Sequence, residues 1–206
     1  MTIAYTAVIL AGGRASRLGG VAKPLVEVGG RTLLDAALSA AAGAREVVVV
    51  GEVPVPAGVL QVVEDPPRSG PAAGLAAGVR ALSEEAPWTL VLASDVPGVE
   101  QAVPTLVASA EDDLDSDGVC FHDESGHPQW MLGLYRSPRL RGRIEGVEST
   151  DLSLRRLLAP LLVRTIAGDP AAIADCDTWD DVEAARARSS GTAVGMASTR
   201  SGDEIG

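Results

Sequence analysis

The chain has 206 residues, which is enough for one sizeable domain with a short tail. Its 28 acidic residues against 17 basic ones give a net charge of −11, which argues against a general nucleic-acid-binding surface because such a surface is basic. No apolar run approaches the roughly 20 residues that cross a membrane, and the two cysteines lack the C-x-x-C spacing of a structural zinc site. The start of the chain has no basic leader, so we expect no signal peptide and a cytoplasmic protein without membrane or nucleic-acid partners.

The first predicted element is a short apolar strand at Tyr5–Leu10, as in parallel sheets that are covered on both faces. Gly12 and Gly13 follow it, and a backbone without Cβ atoms can approach a ligand closely and offer successive N–H groups to an anion. Three cations of this acidic chain come next: Arg14, Arg17 and Lys23. This pattern favours a triphosphate-binding loop, and the alternative is an ordinary tight turn with incidental surface arginines.

Two well-known phosphate loops do not fit this stretch. In the P-loop a lysine directly follows the second glycine and precedes a hydroxyl residue, whereas Lys23 follows Val21-Ala22 and precedes Pro24. The glycine spacing also fails the dinucleotide fingerprint, which argues against an NAD-binding oxidoreductase. The whole pattern, L-A-G-G-x-x-x-R-L-G-x-x-x-K-P, resembles the signature of nucleotidyltransferases with a glycosyltransferase-A-like fold. Within that group it looks most like the molybdenum cofactor guanylyltransferases.

Strand and helix patterns alternate after this loop. Thr32 can cap a helix, and apolar strands are predicted at 46–50 and 59–63. This alternation predicts an α/β fold with a single doubly wound, mostly parallel sheet, Rossmann-like in its layers. We expect the nucleotidyltransferase domain to span residues 1–188. Residues 189–206, rich in Gly, Ser, Thr and Ala, are expected to form a disordered tail.

The third predicted strand, 59–63, leads into a loop that contains Asp65, at the strand end where ligands of open α/β sheets bind. Pro71 suits the first turn of the helix that follows, and Gly74 and Gly78 leave one face of this helix bare, so a nucleotide or another backbone can come close. The resembled family has a matching Asp … Gly-Pro-Leu-Ala-Gly segment, which implies that Asp65 helps to bind the guanine nucleotide. The alternative is a proline-stiffened turn with close helix–strand packing.

Asp95 follows the apolar strand predicted at Trp88–Ala93, on the same edge of the sheet as the glycine loop. Magnesium prefers one or two carboxylates together with phosphate oxygens, so Asp95 is a natural Mg²⁺ ligand there. The family equivalent is a Leu-x-x-Asp-x-Pro motif whose Asp carries the metal. The alternative is that Asp95 caps the helix expected from Val99 onward.

The last third of the chain offers weaker signals. The segment 122–127, with a histidine at each end, is interpreted as a hairpin turn rather than a zinc site. The strand predicted at Pro128–Arg136 resembles the family strand that lies beside the second substrate. Near the end, Thr178 and Asp181 form a capping-box pattern, and Asp177 is a candidate to face the site.

The resemblance implies GMP transfer from GTP to the phosphate of molybdopterin, with release of pyrophosphate and Mg²⁺ as the cofactor. It also implies transient contact with molybdoenzymes or other cofactor-biosynthesis proteins. We expect catalysis from Arg17, Lys23 and Asp95. We expect nucleotide binding from Leu10, Ala11, Gly12, Gly13, Lys23, Asp65, Gly74 and Asp95.

Two departures from the family pattern leave the identity of the nucleotide base undecided. Relatives carry an Asp where this chain has Ala22, and an Asn where it has Gly51 or Glu52. The alternatives are a cytidylyltransferase, a transferase with another phosphorylated acceptor such as a sugar phosphate, and a catalytically weak cofactor-binding homologue.

Overall fold

The computed structural model describes residues 3–12, 21–112 and 115–197 of the chain. The strands are β1 (Tyr5–Leu10), β2 (Glu27–Val28), β3 (Arg31–Thr32), β4 (Val47–Val50), β5 (Leu60–Val62), β6 (Trp88–Ala93), β7 (Gly118–His122), β8 (Pro128–Arg136) and β9 (Val163–Ala167). The helices are α1 (Leu33–Ala40), α2 (Pro71–Ala81), α3 (Val99–Glu111), α4 (Ser137–Glu145), α5 (Leu154–Leu158), α6 (Pro170–Ile173) and α7 (Trp179–Ala197), with a 3₁₀ turn at Lys23–Leu25.

Seven strands form one sheet in the order β5-β4-β1-β6-β8-β7-β9, and β2 pairs with β3 in a separate small hairpin. β8 runs antiparallel to both of its neighbours, and the other six strands share one direction. The prediction of a single, mostly parallel α/β sheet is therefore confirmed. Since strands of one direction end at the same edge, β1, β4, β5 and β6 deliver their following loops to one side of the molecule.

The sheet is covered on both faces by helices. Along β1, Ala7 and Ile9 pack into one core layer with α1 and α3, whereas Val8 and Leu10 pack into the opposite layer with α2, α4 and α5. This alternation follows from the two-residue period of side chains along a strand. Because both faces are buried, the strand carries no charged residue and ends in the apolar run Ala7–Leu10, which is why its sequence shows no alternation of polar residues. Of the helices described, none has both the length and the apolar character to cross a bilayer.

The two glycines of α2 differ in their surroundings. A Cβ on Gly78 would lie 2.5 Å from Val8 Cγ1 and 2.8 Å from Val50 Cγ2, so the helix approaches the sheet more closely than a side chain allows. A Cβ on Gly74 would meet Val50 and Leu10 at 3.5 and 3.6 Å, which is ordinary contact. Close helix–strand packing is thus the role of Gly78, whereas Gly74 has no such requirement.

Local hydrogen bonds confirm two of the predicted boundaries. Thr32 caps α1: its Oγ1 accepts from the Asp35 N–H at 3.0 Å, and the Asp35 carboxylate accepts from the Thr32 N–H at 3.1 Å. The β7–β8 connection is the predicted hairpin. Asp123 Oδ1 accepts from the N–H groups of Ser125 and His127, both at 2.9 Å.

α7 continues to Ala197, nine residues beyond the predicted end of the domain at residue 188. The serines at this point are accommodated within the helix, because Ser189 Oγ donates to the Ala185 carbonyl and Ser190 Oγ to the Arg186 carbonyl. Residues 198–206 lie outside the described ranges, and the division of the chain into a domain of residues 1–188 and a tail stays a prediction. α6 has no counterpart among the predicted elements.

Candidate active site

Three parallel strands meet at the carboxyl edge that carries the first predicted site residues. The Leu10 carbonyl accepts from the Ser94 N–H at 3.1 Å, and the Ala11 N–H donates to the Val50 carbonyl at 2.8 Å. Leu10 and Ala11 are buried, whereas Gly12 is exposed. The backbone that leaves β1 therefore lies directly beside the backbone that leads to Asp95. Two further predicted residues of this loop, Gly13 and Arg17, lie outside the described residues.

Gly51, at the end of β4, abuts the same loop. Its φ is +137°, and a Cβ there would lie 2.9 Å from the Ala11 carbonyl carbon and from the Gly12 nitrogen. Only glycine combines this conformation with so close an approach. An open groove of about 460 Å³ begins at this point and is lined by Gly51, Glu52, Val53, Pro54, Gln61, Val62 and Val63.

Lys23 is the centre of the site. Its Nζ lies 2.6 Å from Asp95 Oδ2 and 2.6 Å from Asp177 Oδ1. The side chains of Lys23 and Asp95 are 19% and 21% exposed, and that of Asp177 is 50% exposed, so the ammonium is held between one sheltered carboxylate and one open to solvent. The structure thus brings together the two residues, Lys23 and Asp95, on which the predicted chemistry depends.

The charges of this cluster influence one another. Burial lowers the pKa of Lys23, but the hydrogen bonds and charges of Asp177 and Asp95 outweigh it, and the net pKa is raised. The pKa of nearby Asp175 is also raised, first by burial and then by the charges of Asp177 and Asp95. Lys23 therefore remains an ammonium at neutral pH, surrounded by more negative charge than it can neutralise alone.

Asp95 does not cap α3. The helix begins at Val99 with Gly98 as its N-cap residue, so the alternative interpretation of Asp95 as a capping residue is wrong. Its carbonyl instead accepts from the Cys176 N–H at 2.9 Å, which ties the segment before α7 to the end of β6. This hydrogen bond places Asp177 next to Asp95.

Asp177 lies beside Lys23, and α7 accounts for its position. The capping box is present: the Thr178 N–H and Oγ1–H both donate to Asp181 Oδ2 at 2.7 Å, and the Asp181 N–H donates to Thr178 Oγ1 at 3.3 Å. α7 also packs on the small hairpin through a cluster of buried residues: Val26, Val28, Leu33, Cys176, Val182 and Ala185. Arg186 Nε donates to the Glu27 carbonyl at 3.0 Å. The element that carries Asp177 is thereby fixed to the one that carries Lys23.

Asp65 and Gly74, the predicted nucleotide-binding residues that follow β5, make no described contact with Lys23. Asp65 is exposed and is not one of the partners of Lys23 described above. The preceding Glu64, which sequence patterns did not single out, is half-buried. Its Oε1 accepts from the Arg68 N–H at 2.9 Å, and its Oε2 lies 4.0 Å from the position that a Cβ would take on Gly74. The roles of Asp65 and Gly74 in nucleotide binding stay predictions.

One signal of the site was overlooked in the sequence: Lys23 is the only lysine among the 17 basic residues of the chain. All other basic residues are arginines, whose planar guanidinium suits bidentate pairing, whereas the lysine ammonium is a compact point charge on a flexible stem. The single lysine of the chain therefore lies at the centre of a carboxylate cluster.

Asp95 and Asp177 could also hold a metal ion. Each places one carboxylate oxygen on the same cationic centre, the Lys23 ammonium. Magnesium commonly uses one or two carboxylates and takes its other ligands from phosphate and water, so this pair of donors fits it. Within residues 3–12, 21–112 and 115–197, no three His, Cys, Asp or Glu side chains converge as a complete metal site.

The family model and the curated relatives that match this sequence point to the same family. The family model described as the MobA-like NTP transferase domain matches residues 7–167. A molybdenum cofactor guanylyltransferase of Rhodopseudomonas palustris is 33% identical over 141 residues, which is 62% of this chain and just under two thirds, 66%, of that protein. A probable molybdenum cofactor guanylyltransferase of Trichormus variabilis is 27% identical over 188 residues, or 86% of this chain and 88% of that protein.

Solved structures share the fold. Molybdopterin-guanine dinucleotide biosynthesis protein A from Archaeoglobus fulgidus superposes with a TM-score of 0.67 at 20% identity, covering 90% of this chain and 99% of that one. A Mycobacterium sp. strain JC1 homologue of a Mycobacterium tuberculosis protein gives 0.68 at 26% identity, covering 91% and 98%. The 2-C-methyl-D-erythritol 4-phosphate cytidylyltransferase of Thermus thermophilus gives 0.62 at 22% identity, covering 92% and 100%.

Proposed function

Since this chain belongs to the MobA-like NTP transferase family, we propose that it transfers GMP from GTP to the phosphate of molybdopterin and releases pyrophosphate. The observation that carries this proposal is the convergence of Lys23, Asp95 and Asp177 at 2.6 Å beside the loop that follows β1. Phosphoryl-type transfer depends on positioning and on charge stabilisation, and this cluster supplies both a fixed cation and a pair of carboxylates.

In this reaction an oxygen of the acceptor phosphate forms a bond to the α-phosphorus of GTP. The bond between that phosphorus and the oxygen bridging to the β-phosphorus breaks, and pyrophosphate leaves with the electron pair. Lys23, whose pKa is raised, keeps its proton and stabilises the negative charge of the triphosphate and of the departing pyrophosphate. Arg17 adds a second cation in the mechanism that we propose.

Asp95 and Asp177 would hold the magnesium ion. When bound, this ion supplies charge neutralisation across the phosphates and a template for their alignment. The backbone of Leu10, Ala11 and Gly12 would contact the ribose and base, because it lies at the carboxyl edge of the sheet. The groove that begins at Gly51 adjoins this backbone and offers room for a base.

Cytidylyl transfer is the second candidate, and the similarity in fold to a cytidylyltransferase favours keeping it. A different phosphorylated acceptor and a catalytically weak homologue are the remaining alternatives. The two described cysteines are free thiols, which fits the reducing cytoplasm that we propose for this enzyme. Its partners would be GTP, molybdopterin and, transiently, the proteins that receive the product.

The first experiment is thermal unfolding with GTP, CTP, ATP and UTP, each with and without Mg²⁺. A ligand that binds only the folded protein raises its unfolding temperature by mass action. A magnesium-dependent rise selective for GTP supports the proposal, whereas one selective for CTP moves the function to cytidylyl transfer. The absence of any rise contradicts nucleotidyl transfer.

The second experiment measures turnover of GTP and molybdopterin by an Asp95→Asn variant. Asp95 would hold the ion that neutralises phosphate charge; loss of one group on which such stabilisation depends costs about 10²–10³ in rate, and we expect a loss of that order. Asp180→Asn is the matched control, since Asp180 is an exposed carboxylate in the first turn of α7. Near-normal turnover in Asp95→Asn would contradict the role of this carboxylate and favour a binding protein.

A further inference from the structure

The ammonium of Lys23 lies within hydrogen-bond distance of both carboxylates that would hold the proposed metal ion. Its Nζ is 2.6 Å from one oxygen of Asp95 and 2.6 Å from one oxygen of Asp177. A magnesium ion held by the same two oxygens would need distances of about 2.0–2.1 Å to each. A metal ion at these distances from the same two oxygens would lie close to the ammonium, and the two positive charges would repel.

We propose that Lys23 is an internal occupant of the cation position between Asp95 and Asp177, and that a divalent ion binds there only in exchange for the lysine. The exchange releases the ammonium, which then becomes available to the phosphates of the nucleotide. The proposal rests on the proposed function, since it takes from it the metal between these two carboxylates. It adds a conformational switch in which one side chain has two alternative partners.

The electrostatics of the resting state favour this arrangement. Asp95 has only 21% of its side chain exposed, and two carboxylates that face each other without a cation repel. The lysine neutralises part of this charge in the absence of metal, and thereby keeps the site formed. Its flexible four-carbon stem lets the ammonium move over several ångströms without displacement of the backbone. An arginine, whose planar fork holds two oxygens at once, would not leave as readily.

The backbone contacts of Asp95 and Asp177 favour a site that keeps its arrangement when Lys23 leaves. Asp95 is tied to Cys176 through a backbone hydrogen bond of 2.9 Å, and Asp177 is followed at once by the capping box of α7. The two carboxylates therefore stay in place when Lys23 leaves. The lysine is the mobile member of the cluster, so the cation position persists and can accept a different occupant.

A thermodynamic coupling follows from the exchange. Metal alone must displace the lysine without offering it a new partner, so its binding to the free protein is weak. Nucleotide offers the released ammonium its phosphates, so metal and nucleotide each strengthen the binding of the other by the same factor. In this protein part of that coupling is carried by Lys23 itself, in addition to direct contact between the metal and the phosphates.

Calorimetric titration with Mn²⁺ in the absence of nucleotide tests the exchange. Lys23→Met keeps the length of the side chain and removes its charge. We expect this variant to bind Mn²⁺ about tenfold more tightly than the wild-type protein, and the double variant Lys23→Met/Asp177→Asn to lose this gain. The matched control is Arg31→Met, which removes a cation from the ion pair with Glu100. We expect no change there. Equal or weaker Mn²⁺ binding by folded Lys23→Met would overturn the proposal.

A second measurement needs no variant. Because the chain has one lysine, a protein labelled with ¹³C,¹⁵N-lysine gives the side-chain NMR signals of Lys23 alone. We expect these signals to move on addition of Mg²⁺ and to move further, to a new position, on addition of GTP with Mg²⁺. Signals that stay unchanged while calorimetry shows metal bound would overturn the exchange.

The two proposals fail in different ways. The protein could bind Mg²⁺·GTP and catalyse the transfer while the NMR signals of Lys23 do not move and Lys23→Met binds Mn²⁺ no more tightly than the wild-type protein. In that case the transferase function stands and the exchange is wrong. If Lys23→Met gains metal affinity but no nucleotide raises the unfolding temperature of the wild-type protein, the exchange stands and the transferase function is wrong.

Discussion

Replacement of Gly78 by alanine tests how closely α2 packs on the sheet. The new Cβ would lie 2.5 Å from Val8 Cγ1 and 2.8 Å from Val50 Cγ2. Both valines are buried and sit on central strands, so neither can move aside freely. An extra methyl group forced into a close-packed core costs about 1–3 kcal/mol.

The gain from a better helix former offsets part of this cost. Alanine in place of glycine in a helix interior stabilises by roughly 0.5–1 kcal/mol. At these contact distances the cost of overpacking the core exceeds the gain in helix propensity. The expected net loss of stability for Gly78→Ala is therefore about 1–2 kcal/mol. For a protein of 206 residues, about 2–4 °C in unfolding temperature corresponds to 1 kcal/mol, so we expect a fall of roughly 2–8 °C.

Gly74→Ala is the matched control, four residues away on the same helix. Its Cβ would make ordinary contacts of 3.5 and 3.6 Å with Val50 and Leu10, so only the helix-propensity gain remains. We expect a rise of about 1–4 °C, from roughly 0.5–1 kcal/mol. Thermal unfolding followed by circular dichroism measures both variants. If Gly78→Ala unfolds at or above the wild-type temperature, or if both variants lose stability equally, the packing argument is refuted.

Three further outcomes are expected. Burial raises the pKa of Asp175 above its ordinary 3.8, so ionisation of this carboxyl destabilises the folded protein. Asp175→Asn should thus be the more stable protein in urea unfolding at pH 7. The part of the difference that depends on charge should shrink as the pH falls and vanish well below pH 3.8, where the folded and unfolded forms both carry the proton. A difference that stays constant with pH would contradict this linkage. Burial raises the pKa of the Cys120 and Cys176 thiols to about 12 and about 11, so iodoacetamide at pH 8 should leave both unmodified until the protein unfolds, as mass spectrometry can check. Thr178→Ala removes the capping box with Asp181 and should cost about 1 kcal/mol in chemical unfolding, and an unchanged midpoint would show that the cap contributes nothing.

Much of the fold could be predicted from local patterns. β1 and β6 are six-residue runs without a charged residue, and both occupy the predicted positions. The Thr32 and Thr178 caps were predictable because a capping box is encoded within four residues. α6 escaped prediction because a four-residue helix is too short to show a period.

The candidate site was only partly predictable, for a different reason. Lys23 and Asp95 stood out through motifs, but the pairing of Lys23 with Asp177 joins residues 154 positions apart. No local pattern encodes such a contact, since it depends on how α7 packs against the small hairpin. In the sequence, Gly51 stands out only as a departure from the family pattern. Its reason, an approach of 2.9 Å to the loop after β1, belongs to tertiary structure.

The separation between Lys23 and Asp177 also has a consequence for biosynthesis. A ribosome adds about 5–20 residues per second, so the carboxylate that completes the cluster emerges roughly 8–30 s after the lysine that it binds. During that interval β4 and β6 are synthesised and can pair with β1, while the second carboxylate of the cluster is still missing. Competence for chemistry is therefore among the last properties that the nascent chain acquires, and a chain interrupted before residue 177 would retain most of its sheet without its charge cluster.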